Sequence, residues 1–204
     1  MKKIYLTRHG ESEWNILKRI QGHKDIPLTN RGIKQANLIA NRLIHEDIDT
    51  IYSSDLKRAY DTAKIIGDKI GLEPNLSKEF REINFGVWEG LSNDIIGSEY
   101  REEIHLWRKE PEKLKIKGGE TLQEVQLRSM RKLESIINTN EDKNILIVSH
   151  GVTLKTMILG ILDMDLFYFK NLTIDNVSLS IIEFREYNKV LKVLNDTSHL
   201  KEIM

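Results

Sequence analysis

The sequence predicts an α/β fold, a three-layer arrangement of a mostly parallel sheet with helices on both faces and an antiparallel edge. Three observations predict it. Two short apolar runs, Ile4-Tyr5-Leu6 and Ile145-Leu146-Ile147-Val148, each lead into a His-Gly pair, His9-Gly10 and His150-Gly151. Strand-like runs alternate with helical periodicity through most of the chain, the pattern of parallel strands joined by helices. Near the C-terminus, Leu179 to Phe184 and Val190 to Leu194 alternate around Glu186-Tyr187-Asn188-Lys189, which reads as a hairpin at a sheet edge.

Ile4-Tyr5-Leu6 is a short buried strand. Ile33, Ala36, Ile39, Ala40, Leu43 and Ile44 recur at helical spacing behind Thr29, an N-cap residue. Thr50-Ile51-Tyr52 is a second strand, and Ser53-Ser54-Asp55 opens a helix that carries Arg58, Ala59, Ala63, Ile66 and Ile70 and stops at Gly71. From Leu76 to Pro111 the pattern is less regular: Glu79 to Gly86 reads as a loop or short extended segment, and Ile95, Ile96, Tyr100, Ile104 and Trp107 as one helix. Gly118-Gly119 marks a turn, and Thr121-Leu122-Gln123-Glu124 is a capping box for a long helix. Ile145 to Val148 is uninterrupted by polar residues, as a central parallel strand is. Leu154, Met157, Ile158 and Ile161 then form a helix. With no repeat, low-complexity tract or linker, residues 1–204 read as a single domain.

Composition narrows the function. Lys plus Arg and Asp plus Glu number 31 each, so there is no basic excess of the kind that duplex nucleic acid or an anionic membrane recruits. The chain has no cysteine, which excludes disulfides, zinc–thiolate sites, iron–sulfur clusters and thiol nucleophiles. The N-terminal apolar run is too short for a signal-peptide core and no stretch is long enough to span a bilayer, so the expected location is cytoplasmic.

The two His-Gly pairs matter because ligands bind beyond the carboxyl ends of the strands in open α/β sheets, where the strand order reverses. Arg8 and His9 face opposite sides of a regular strand, so both reach one pocket only if the chain has turned, which Gly10 permits. Arg58 lies in the first turn of its helix, and helical side chains tilt toward the N-terminus, so its guanidinium points to the same edge. Two arginines, two histidines and a helix N-terminus around one crevice describe an oxyanion site that suits a phosphate dianion. Taken singly, each residue is equally a loop histidine or a solvated arginine; the joint placement carries the reading.

The stretch Leu6-Thr7-Arg8-His9-Gly10-Glu11-Ser12-Glu13-Trp14-Asn15 resembles the signature of the histidine phosphatase superfamily, also called phosphoglycerate mutase-like. Further matches follow in order: Pro27-Leu28-Thr29 with Gly32, Ser53-Ser54-Asp55-Leu56 with Arg58-Ala59 and Thr62-Ala63, Arg81-Glu82 with Gly86 and Trp88-Glu89-Gly90, Gly119-Glu120-Thr121, and Val148-Ser149-His150-Gly151. The resemblance implies that His9 attacks phosphorus, that Arg8, Arg58 and His150 bind the phosphoryl oxygens, and that Glu82 protonates the leaving group. It implies substrate contacts from Asn15, the Gln21-Gly22 loop and Gly151, and a small cap inserted in the sheet fold. No metal or cofactor is called for, and the partner is a small phosphorylated metabolite.

Phe85-Gly86-Val87-Trp88-Glu89-Gly90-Leu91 resembles the phosphatase branch, including broad-specificity and ribazole-phosphate phosphatases. The alternatives are a cofactor-dependent phosphoglycerate mutase, whose family members carry more chain between the acid and the second histidine, and a phosphate-binding module without catalysis. A nucleotide or nucleic-acid hydrolase loses on charge balance and on the lack of metal-binding carboxylate clusters. His23, His45, His105 and His199 lack ligand spacing and read as surface or loop residues. Trp14 and Trp88 read as pocket wall or core. Flanking Phe80, Ile83 and Phe85 predict an apolar setting for the Glu82 carboxyl, the other reading being a surface pair with Arg81. Substrate choice is expected to depend on the Gln21 loop, residues 92–116 and the surroundings of Asn176.

Overall fold

A computed structural model describes residues 2–139 and 144–201. Six strands form one sheet in the order β3-β2-β4-β1-β5-β6: β1 Lys2–Arg8, β2 Thr50–Ser54, β3 Pro74–Ser77, β4 Ile145–Ser149, β5 Leu179–Phe184 and β6 Lys189–Asp196. The first four are mutually parallel, and β5 and β6 form the antiparallel edge. After β1 come the short helix α1 (Glu13–Ile16) and α2 (Asn30–Leu43). Then follow α3 (Lys57–Ile70), α4 (Asn93–Glu99), α5 (Arg101–Lys109), α6 (Leu122–Thr139) and α7 (Gly151–Ile161).

Strand alternation sorts the core into two layers. Tyr5, Ile51, Leu146 and Val148 pack with Ile39, Leu43, Ala59, Ala63 and Ile66 of α2 and α3. Ile4, Leu6, Ile145 and Ile147 point the other way, toward Leu133 and Ile136 of α6 and Leu154, Met157 and Ile158 of α7. The chain therefore leaves β1 toward one face and leaves β4 toward the other. Since β1 and β4 are neighbours, their diverging ends open a crevice at the strand-order switch. The register pairs Ile4 with Ile145 and Arg8 with Ser149, and the His9 amide donates to the Ser149 carbonyl at 3.0 Å. One residue on, His9 and His150 stand side by side.

The expected cap of α2 and stop of α3 match, since Thr29 accepts the Gly32 amide and Gly71 closes α3 at φ 79°, but Ser53 and Ser54 continue β2 and α3 begins only at Lys57. Thr121 and Glu124 make both bonds of the capping box at the start of α6. Three features differ from the sequence reading. Pro74–Ser77 is an edge strand with no alternating apolar face to announce it. The helix expected through Ile95 and Trp107 is two helices, broken at Tyr100 (φ −124°, ψ 50°), whose ring packs edge-on against Trp88. A 3-10 helix at Leu166–Asn171 follows α7 and buries Leu166 and Phe169 against the small cap built around α4 and α5. No helix among the described residues is long and apolar enough to cross a membrane.

Candidate active site

A cavity of about 510 Å³ opens at the carboxyl edge of the sheet. Arg8, His9, Asn15, Gln21, Gly22, Arg58, Glu82 and Gly151, all singled out in the sequence, line it together. His150 does not reach its surface; it is 0 % exposed and stands directly behind, its ring centroid 5.2 Å from that of His9.

Hydrogen bonding decides which nitrogen of His9 carries the proton. Nδ1 lies 2.7 Å from the Gly10 carbonyl, which only accepts, so the ring proton sits on Nδ1. Nε2 keeps its lone pair and receives a hydrogen bond from Nε of Arg58 at 3.3 Å. Burial, then the charges of Arg58 and Arg8, hold the His9 pKa well below the usual imidazole value, so the ring is neutral at neutral pH. The loop after His9 is pinned: the Gly10 amide donates to Thr62 of α3 at 3.0 Å, and a Cβ at Gly10 would stand 2.5 Å from the Gly32 carbonyl oxygen.

Arg58 is fully buried, and its Nη1 and Nη2 each donate at 2.8 Å, to the carbonyls of Lys24 and Gly22. Burial pulls its pKa down to about 10, which leaves it charged at neutral pH. Gly22 adopts φ 49°, and a Cβ there would stand 1.9 Å from Oε1 of Glu89. Arg8 donates through Nη1 to the Ile174 carbonyl at 2.8 Å, while its buried Nε has no partner among the described residues. His150 is similar. Ser54 Oγ accepts the Leu56 amide and lies 2.8 Å from Nε2 of His150. The buried Nδ1 of that ring has no partner among the described residues. Burial and the neighbouring arginines and His9 hold His150 neutral as well. Two buried nitrogens without partners, one of them an arginine donor, beside an unprotonated imidazole nitrogen suit a bound oxyanion.

Glu82 differs from its expected setting. Phe80, Ile83 and Phe85 turn into the core, while the carboxylate turns to the start of α7. Its oxygens accept the amides of Val152 and Thr153 at 3.3 Å each, the Ile83 amide at 3.1 Å and the Thr153 hydroxyl at 3.4 Å. A carboxylate there satisfies helix amides that have no partner within the helix and meets the positive end of the helix dipole. Arg81 does not pair with it but makes a two-pronged bridge to Asp55 at 2.7 and 2.6 Å. Asn15 Oδ1 accepts from Ser12 and from Asn176, whose amide also donates to the His9 carbonyl at 2.9 Å.

Sequence reasoning missed several supporting residues. Arg128 of α6 donates to the carbonyls of Glu79, Arg81 and Glu82 and to the Glu120 carboxylate, clamping the loop that carries Glu82. His23, read as a loop residue, has its Nε2 2.8 Å from the Glu82 carbonyl. Trp14 is pocket wall and Trp88 is core. Asn93 and Trp107 enter the cavity from the 92–116 segment, and Lys155 enters from α7. Helical spacing from Gly151 places Lys155 on the same face, the one signal that marks it in the sequence. Among the described residues no three His, Asp or Glu side chains are grouped to hold a metal ion.

A neutral imidazole with an unprotonated Nε2, buried arginines behind it and a helix start beside it form a site suited to holding a phosphoryl group. The chain belongs to the histidine phosphatase superfamily (branch 1), whose family model matches residues 4–197. It is 39 % identical over 202 residues to phosphoserine phosphatase 1 of Hydrogenobacter thermophilus, covering 99 % of this chain and 96 % of that one. A probable phosphoglycerate mutase, GpmB, of Yersinia pestis is 36 % identical over 209 residues, covering 98 % and 95 %. The structure of Entamoeba histolytica phosphoserine phosphatase in complex with 3-phosphoglyceric acid superposes with a TM-score of 0.88 at 35 % identity, covering 98 % of this chain and all of that one.

Proposed function

We propose that this chain is a phosphatase that hydrolyses phosphomonoesters of small metabolites through a phosphohistidine on His9, without a metal ion. The observation that carries the reading is the His9 ring: its proton is committed to the Gly10 carbonyl, which leaves Nε2 unprotonated at the cavity and held by the Nε–H of Arg58. In the first step Nε2 attacks phosphorus, the P–N bond forms, the P–O ester bond breaks, and Glu82 gives the departing oxygen a proton. In the second step water attacks the phosphohistidine, Glu82 takes its proton, and the P–N bond breaks to return neutral His9 and phosphate. Arg8 and Arg58, with the His150 ring just behind them, stabilise charge on the equatorial oxygens, a role other phosphoryl-transfer enzymes share with magnesium. Asn15, Gln21, Gly22 and Gly151 shape the phosphate and leaving-group ends of the cavity. The reading takes the chain as a single domain acting in the cytoplasm.

Support also comes from relatives named as phosphatases, and a mutase is the less supported alternative. Rapid quenching with ³²P-labelled substrate tests the reading: an acid-labile, alkali-stable label on the peptide that holds His9, formed in EDTA as fast as without it, is the expected result. Turnover that collapses in EDTA and returns with a divalent ion overturns the metal-free mechanism. Phosphoryl transfer between phosphoglycerates that outruns release of phosphate overturns the phosphatase assignment.

A further inference from the structure

The proposed chemistry uses the floor of the cavity and leaves Lys18, Arg19, Asp175 and Lys155 on its wall without a role; of these, Lys155 alone is half-buried. Lys155 stands on α7 four residues after Gly151, on the cavity-facing side with Gly151 and Val152. At about 1.5 Å per residue it lies about 6 Å along the helix from Gly151. Its Nζ rests 3.6 Å from the centroid of the Phe169 ring, itself packed on Trp107 of the cap. Among the described residues Nζ has neither a hydrogen-bond acceptor nor a carboxylate in ion-pair range. Burial pulls its pKa down to about 8, against the opposite pull of Glu82. A half-buried ammonium with no anionic partner is costly to hold.

Two other cationic side chains, Lys18 and Arg19, line the cavity mouth, but they are exposed and screened by solvent. Arg8 and Arg58 are occupied by the phosphate end. We infer that Lys155 is a specificity-determining residue that pairs with a carboxylate on the leaving group, so that the preferred substrates are phosphomonoesters of short hydroxy- or amino-acids. The inference rests on the phosphatase reading above. One ammonium over an aromatic face matches a singly charged carboxylate; a second phosphate dianion calls for the paired donors of a guanidinium. The short distance along α7 suits an acid whose carboxylate is two or three bonds from the ester oxygen.

Matched substrates isolate the carboxylate. O-phosphoserine and O-phosphoethanolamine differ in that group alone, and 3-phosphoglycerate with glycerol 3-phosphate is a second pair. The wild-type enzyme should favour the acid in each pair, measured as kcat/KM. Lys155→Met should shrink that preference roughly 10–100-fold, the worth of a charge-assisted hydrogen bond, and Lys155→Arg should restore part of it. A preference that Lys155→Met leaves unchanged, or its absence in the wild type, overturns the inference. Calorimetry with the same ligands on His9→Ala and on His9→Ala/Lys155→Met reads the subsite without turnover. A wild-type protein that hydrolyses none of these esters therefore overturns the phosphatase reading alone, and the affinity ratio of phosphoserine to phosphoethanolamine still decides the role of Lys155.

Discussion

Nε of Arg58 donates to Nε2 of His9 at 3.3 Å while its two other nitrogens hold the carbonyls of Gly22 and Lys24. One rigid guanidinium thus orients the nitrogen proposed to attack, disfavours its protonation and ties the Gly22 to Lys24 loop to α3. In a buried site these roles reinforce each other, because a charge removed from water acts strongly on its neighbours.

Arg58→Gln should therefore change the pH profile as well as the rate. Without that cation the His9 pKa rises toward the usual imidazole value, and the acid limb of kcat/KM moves to higher pH. At pH 7 the loss should be about 10²–10³-fold, as for other buried oxyanion donors. A pH–rate profile with p-nitrophenyl phosphate reads both. A fall in rate with an unmoved acid limb would mean that the limb does not report His9.

Stability should fall on acidification. Both His9 and His150 have folded-state pKa values well below 6.5, so below that pH the unfolded chain binds protons the folded one refuses. Their contribution is complete above about pH 6.5 and is lost as pH drops beneath it, at up to about 1.4 kcal/mol per pH unit for each histidine. Urea unfolding at pH 7.5, 6.5 and 5.5 measures the slope, and His150→Gln should flatten it. A midpoint that does not move from 7.5 to 5.5 contradicts two buried neutral imidazoles.

Glu82→Gln keeps an oxygen for the α7 amides and removes the transferable proton. With an alkyl phosphate kcat should drop roughly 10²–10⁴-fold, the range of general acid catalysis. With p-nitrophenyl phosphate, whose leaving group needs little help, the drop should be far smaller. Equal losses on both substrates would assign Glu82 to positioning the start of α7.

Gly32 tests the packing of α2 against the nucleophile loop. Alanine gains up to about 1 kcal/mol in helix propensity, but its Cβ would meet the Glu11 carbonyl oxygen at 2.0 Å. Overpacking of that kind costs about 1–3 kcal/mol, so Gly32→Ala should destabilise on balance. Gly97 lies in α4 with nothing within 4 Å of a Cβ, and Gly97→Ala should stabilise. Paired thermal unfolding compares them, and stabilisation at both sites would mean that the loop yields.

The sequence by itself determined the layers and the floor of the site. Uninterrupted apolar runs ending at His9 and His150, the caps at Thr29 and Thr121, and Arg58 in a first helical turn are local signals, and each reports which face of an element is buried. Tertiary structure decided what those patterns cannot encode. Pro74–Ser77 became a strand only because β2 offered an open edge. Glu82 turned from its apolar neighbours because the amides of Val152 and Thr153, some 70 residues on, had no partner within α7. Arg128 reached three carbonyls 46 to 49 residues away, and Lys155 settled on Phe169 under the cap. Apolar periodicity is set by neighbours a few residues apart, whereas a buried polar group takes whichever partner the folded chain brings within about 3 Å.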